Sequence, residues 1–143
     1  MTRGTELSAA IEAQLQVINQ ANGYATQLRG VYGFAERKPD KAPLPYLLVR
    51  IVEDELLRMV GTKAARAVRY EIEGCMPRSA TLRDLQLLHH DILVSLGTGQ
   101  LPHVTALDSG RVFEESAEYV ADQDGSTTIS VISTVSLQYV ETY

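Results

Sequence analysis

The stretch Thr127–Tyr139, TTISVISTVSLQY, limits the folds open to this chain more than any other. It contains neither Pro nor Gly, is rich in β-branched residues, and alternates. Ile129, Val131, Val135, Leu137 and Tyr139 fall on one face, and Thr128, Ser130, Thr134, Ser136 and Gln138 on the other. The pattern predicts a long, central strand with one buried side. Two residues break it: Ile132 is apolar on the polar face, and Ser133 is small and polar on the apolar face. A strand covered by a helix on one side and a neighbouring subunit on the other accommodates both.

A chain of 143 residues with 45% hydrophobic and 22% charged residues fits one globular domain, 1–143, able to bury a core without covalent staples. No run approaches the ~18 apolar residues of a membrane helix, and the opening MTRGTELSAA lacks the apolar core of a secretory signal, so no membrane role is expected. The single cysteine, Cys75, fits a reducing compartment or a particle assembled inside one.

The net charge of -5 conceals an asymmetry. Residues 1–70 carry ten Lys/Arg against seven Asp/Glu, whereas residues 71–143 carry three against eleven. Either both sets are solvated faces, or copies associate head to tail, basic edge to acidic edge. An acidic chain without an Arg/Lys cluster has no footprint for sequence-specific nucleic-acid binding.

Along the chain, Leu7, Ile11, Leu15 and Ile18 predict an amphipathic helix from about Leu7 to Ala21, capped by Thr5 and stopped by Asn22-Gly23. Val31–Phe34 suits a short edge strand between weakening glycines. Glu36–Pro45, with three prolines and five charges, reads as an extended loop or arm. Tyr46–Val52 is a nearly continuous apolar strand broken by Arg50, followed by the alternating strand Ala67–Met76 across a long loop, Leu56–Ala65. A competing helix over Ile51–Val60 stays open, because Val49, Val52, Leu56, Leu57 and Val60 fall at helical spacing.

The stretch Ser79–Leu96 is the strongest helix. Thr81 and Asp84 form a capping box, Leu82, Leu85, Leu88, Ile92 and Leu96 a buried stripe, and Gly97 and Gly99 a stop. Beyond a loop with Pro102, Arg111–Val120 reads as a strand with Phe113, Ala117 and Tyr119 on one face, and Asp122–Gly125 as the turn into the last strand. The expected fold is α+β: a mainly antiparallel sheet of four to five strands packed with two helices, in the order α-β-β-β-α-β-β.

No constellation carries recognisable chemistry. His89 and His90 are adjacent on a helix, so their side chains diverge by about 100° and cannot share a metal as an i, i+4 pair would; His103 lies beyond the helix. Glu53-Asp54-Glu55 lacks the ligand spacing of a calcium loop and reads as a solvated strand end opposing Lys63 and Arg66. Cys75 beside Glu73 reads as an inert thiol. Catalytic residues, metal ligands and cofactors are therefore expected to be none. Arg50 must either emerge at a surface or meet a carboxylate or a subunit.

The arrangement resembles the tail-terminator, or tail-completion, proteins of long-tailed bacteriophages. The resemblance lies in PYLLVRIVEDEL at Pro45–Leu56, RAVRYEIEG at Arg66–Gly74, LRDLQLLHHDILVSL at Leu82–Leu96 and SVISTVSLQYVETY at Ser130–Tyr143. It covers most of the chain as an order of elements and textures. It implies a virion protein of the tail and neck, assembled in the host cytoplasm without enzymatic activity. Such a protein is a ring, typically a hexamer, that caps the tail tube, stops its polymerisation and joins the neck or head-completion protein. DNA would pass through the ring without being read by sequence. Local reasoning nominates Arg37, Lys38 and Lys41 in the arm, Arg50, Lys63 and Arg66 around the hairpin, and Glu114, Glu115 and Glu118 on the late strand as contacts. The alternatives are another head-tail joining protein, a small ligand-binding or catalytic domain with His90, Asp91 and Glu53 around a cleft, and an adaptor using the arm.

Overall fold

The computed structural model describes residues 2–97, 112–121 and 125–143. The elements run α1 (Arg3–Leu15), a short 3-10 turn (Gln20–Asn22), β1 (Gly30–Tyr32), β2 (Tyr46–Val60), β3 (Lys63–Pro77), α2 (Leu82–Ser95), β4 (Phe113–Val120) and β5 (Thr128–Thr142). Gly99, Pro102, His103, Arg111 and the Asp122–Asp124 part of the expected turn lie outside the described residues.

The five strands form one sheet in the order β1-β2-β3-β5-β4. It is mixed. β2, β3, β5 and β4 pair antiparallel, while the edge strand β1 runs parallel to β2 over Gly30↔Tyr46 to Tyr32↔Leu48. The alternating strand of the sequence, β5, is interior and paired on both sides, with β3 as the middle strand.

Both helices pack on one face of this sheet. Leu7, Ile11 and Leu15 of α1, and Leu85, Leu88 and Ile92 of α2, meet Val68, Tyr70 and Ile72 of β3 and all five inward residues of β5. Each fully buried side chain of this size contributes about 1.5–3 kcal/mol. Gly74 makes the close approach possible, since a Cβ there would stand 2.6 Å from Leu88 Cδ2. Ser8 Oγ and Tyr70 Oη, 2.7 Å apart, satisfy one another inside the core, and burial pushes the Tyr70 phenol up to about 12.

The start of α1 differs from expectation. Thr2 is the N-cap and Thr5 is its N3 partner in a reciprocal capping box, and the helix ends at Leu15 rather than Ala21. Ile18 stays buried after the helix ends, and Gly23, at φ 88°, closes the following 3-10 turn. In α2 the Thr81–Asp84 box forms as predicted, and the backbone N–H of Thr81 holds the Asp84 carboxyl below its usual range. Leu82, expected in the buried stripe, is exposed at the first turn, where no described element covers it.

The largest difference concerns residues 51–65. Neither a helix over Ile51–Val60 nor a loop over Leu56–Ala65 forms. β2 continues to Val60 and returns as β3 at Lys63 through the two-residue turn Gly61-Thr62. Gly61, at φ 59°, supplies the left-handed conformation that such a tight hairpin needs. Register shifts at Val52 and Leu57 mark two bulges. In β4 a third shift, at Glu115, flips the strand's phase, so Phe113 does not share a face with Ala117 and Tyr119 as the sequence suggests.

The Pro-rich arm is irregular, as expected, but does not extend freely. Its Ala42 and Leu44 pack against a small cluster of Tyr32, Tyr46 and Cys75 on the face opposite the helices, with Lys38 Nζ 5.6 Å above the Tyr46 ring. Burial, and then Glu73, push the Cys75 thiol up to about 11, in keeping with an inert cysteine.

Candidate functional site: an assembly interface

Among the described residues the helices cover only part of one sheet face and leave open the face opposite them and the outer edge of the β2–β3 hairpin. On the open face β3 presents Arg69, Glu71 and Glu73, because β-strand side chains alternate. Arg50 Nη2 bonds Glu71 at 3.3 Å and Nη1 bonds Glu73 at 3.2 Å. Burial opposes the Arg50 charge, but the two carboxylates outweigh it and raise its pKa. Arg50 thus both reaches the surface and finds carboxylates.

Arg69 joins three strands. It bonds Glu53 of β2 and, through Nε at 2.7 Å, Glu115 of β4, with only the small Ser136 of β5 between β3 and β4 in register. These side chains are a quarter to half exposed and screened by water, so their effect is to fix positions rather than to stabilise strongly. The sequence pairing of Glu53–Glu55 with Lys63 and Arg66 is right in part. Asp54 accepts from Arg66 Nε at 3.2 Å and from Tyr139 Oη at 2.7 Å on the helix side, whereas Glu53 pairs with Arg69 and Lys63 stands opposite Val60.

The far end of the hairpin is tied to α1 and β5. Glu141 accepts from the backbone N–H groups of Arg3 and Gly4 at 3.1 and 3.0 Å, placing a carboxylate at the positive end of α1. Tyr143 N donates to Thr62 O. Between α1 and the hairpin runs an open groove of about 370 Å³, lined by Ser8, Phe34, Ile51, Asp54, Tyr70 and Tyr139 among others.

The outer edge of β2 is open among the described residues. β1 pairs with it only as far as Leu48 and then leaves at Gly33, whose φ of 121° and close approach to the Val49 carbonyl admit no Cβ. From Val49 to Val60 the outward backbone edge has no strand partner among the described residues. Ile51, Val52, Leu56, Leu57, Met59 and Val60 are all exposed there, Val60 at 67%. A concentration of large apolar side chains on an unpaired edge is a candidate contact surface.

Two members of the catalytic-type cluster on α2, Asp91 and His89, tie elements of the fold together. Asp91 is buried and accepts from the backbone N–H groups of Ala25 and Thr26, tying down the segment after α1. His89 Nε2 lies 2.5 Å from Glu114 Oε2 and its Nδ1 2.9 Å from Tyr119 Oη, and Ser133 donates to the same Glu114 oxygen at 2.6 Å. This network clips the edge strand β4 to α2 and explains the polar Ser133 on the apolar face of β5. His90 is exposed, and Glu53 lies on the opposite side of the sheet, so His90, Asp91 and Glu53 do not converge on a cleft.

Of the nominated contacts, Arg37, Lys38, Lys41 and Lys63 are exposed. Arg50, Arg66, Glu114 and Glu115 are engaged within the chain, and Glu118 is exposed on β4 without an ion-pair partner among the described residues. Sequence reasoning missed the apolar edge of β2 and the His89–Glu114–Ser133 clip; of the latter, Ser133 on an apolar strand face was the visible trace.

No protein-family model matches the chain, and no curated protein sequence matches it. Among solved structures, the fold is similar to a chain from the virion of a native gene transfer agent particle. The TM-score is 0.59 at 15% identity, over 94% of each chain.

Proposed function

We propose that this chain is a structural virion protein of the tail-terminator type. Copies form a ring, a hexamer by the resemblance, on the end of the tail tube, stop its polymerisation and present a surface to the neck or head-completion protein. The observation that carries this reading is the fold shared with a virion chain over nearly the whole length of both. The open apolar edge of β2 and the engagement of Asp91, His89 and Glu114 in holding the fold support a role in assembly rather than catalysis.

Deletion of the gene from a particle-producing strain tests it. Tails of uncontrolled length, with few joined to capsids, are expected. Tails of normal length that fail to join capsids would shift the assignment to another neck protein. Normal, complete particles would overturn the virion role.

A further inference from the structure

The sheet ends in two edges without a strand partner among the described residues, Val49–Val60 of β2 and Phe113–Val120 of β4. We propose that these two edges bind each other between copies, so that the β4 edge of one copy extends the sheet of the next along its β2 hairpin. The inference rests on the ring proposed above and specifies how its subunits join.

Charge favours this pairing. If two β2 edges met symmetrically about Asp54, Glu53 would face Glu55 and Asp54 its own counterpart; about Arg58, that residue would face its own counterpart. Like charges directly opposite across a strand pair are destabilising. Two β4 edges fare worse, because Phe113–Val120 carries Glu114, Glu115 and Glu118 and no Lys or Arg. The hairpin tip, residues 56–66, carries Arg58, Lys63 and Arg66 and no Asp or Glu. Arg58 and Lys63 have no carboxylate partner among the described residues, and on β4 neither does Glu118. The apolar parts also match: Phe113 and Tyr119 are exposed on β4, as Leu56, Leu57 and Met59 are on β2.

Each copy carries one edge of each kind, so the contact is heterologous. Such contacts close into rings when the rotation permits. Main-chain hydrogen bonds along the added strand would supply affinity, and the Arg58–Glu118 attraction would set the register.

The experiment places cysteines at both edges, Arg58→Cys with Glu118→Cys, in particles that carry the protein, followed by mild oxidation and non-reducing electrophoresis. The two positions lie on strands three spacings apart, about 14 Å, too far for a bridge within one chain. Cys75 is buried, and the unsubstituted protein serves as its control. The expected result is a ladder of covalent oligomers from the double variant and none from either single variant. A dimer from Arg58→Cys alone, or a bridge to a different protein, overturns the proposal. So does the absence of bridges in particles whose images show the ring, and that outcome leaves the ring itself standing. Absence of any ring removes the functional reading and the inference together. Charge exchange provides a second measure: Arg58→Glu is expected to weaken assembly about tenfold, and adding Glu118→Lys to restore it. Failure of the second change to restore assembly overturns the register.

Discussion

β2 and β5 are both fifteen residues long and belong to the same sheet, yet they use apolar residues in opposite ways. In β5 the apolar side chains point alternately inward and are buried beneath two helices, with Ile129, Val131, Val135, Leu137 and Tyr139 all in the core. In β2 burial stops at Val49, and eleven consecutive residues from Arg50 are exposed. An interior strand is selected for what it buries within the chain. An edge strand that keeps Leu56, Leu57, Met59 and Val60 in water contributes little to the isolated fold, and its composition makes sense as a surface to be covered. On the function proposed above, stability and assembly are thus assigned to different strands.

The comparison is broken most directly at Leu137. Leu137→Ala removes a fully buried side chain from the core face of β5 and is expected to cost about 3 kcal/mol in urea unfolding. A loss below about 1 kcal/mol would mean that the β5 face is not where stability resides. Ser133→Ala probes the polar exception on the same strand. It takes a donor from the half-buried Glu114 carboxylate and is expected to cost about 1–2 kcal/mol. Ser133→Val would deepen the loss, because it loses the same donor and adds one methyl beyond the space of the hydroxyl at a fully buried position.

Thr81→Ala sharpens the role of the helix that covers β5, and about 1 kcal/mol is expected from loss of the N-cap. The pH dependence of this contribution has a definite sign. The folded-state pKa of Asp84 lies below its unfolded value, so the box stabilises fully above the ordinary carboxylate range. That stability is lost as pH falls through the folded pKa. Thr81→Ala keeps the backbone bond to the Asp84 carboxylate and loses the bond from the hydroxyl, so its deficit should shrink by that part alone in strongly acidic solution, as measured by unfolding at matched pH; an unchanged deficit would assign the effect to the hydroxyl accepting from Asp84 N.

The contrast between the strands also explains what was legible. The regular period of β5 and the capping box of α2 are local rules obeyed locally, and both appear in the sequence. In β2 the positions facing the helix side are Val49, Ile51, Asp54, Leu56 and Met59, because bulges at Val52 and Leu57 each insert one residue. A strand whose inward positions advance by two, then three, then two has an average spacing between strand and helix, and it imitates both. The same phase slip at Glu115 hides the inward position of Glu114 beside His89. An edge strand without a buried partner has no burial constraint to keep its alternation regular. The charged pairs were legible only in part, since Arg69 reaches Glu115 across an intervening strand that no local reading connects.

The smallest expected effect on the isolated chain is the most informative. Leu57 is a bulge residue on an exposed edge, 45% accessible, with no core neighbour to lose. Leu57→Ser should change the unfolding free energy by no more than about 0.5 kcal/mol, the range of ordinary surface substitutions. A cost near that of Leu137→Ala would mean that the hairpin edge already packs within the chain and that its apolar residues need no partner. If the edge is instead a contact, the same substitution should leave the melting curve in place while raising the concentration at which oligomers form, or reducing incorporation into particles. Sedimentation and unfolding of one sample therefore separate the two uses of an apolar strand: Leu137 governs whether the chain folds, and Leu57 whether folded chains meet.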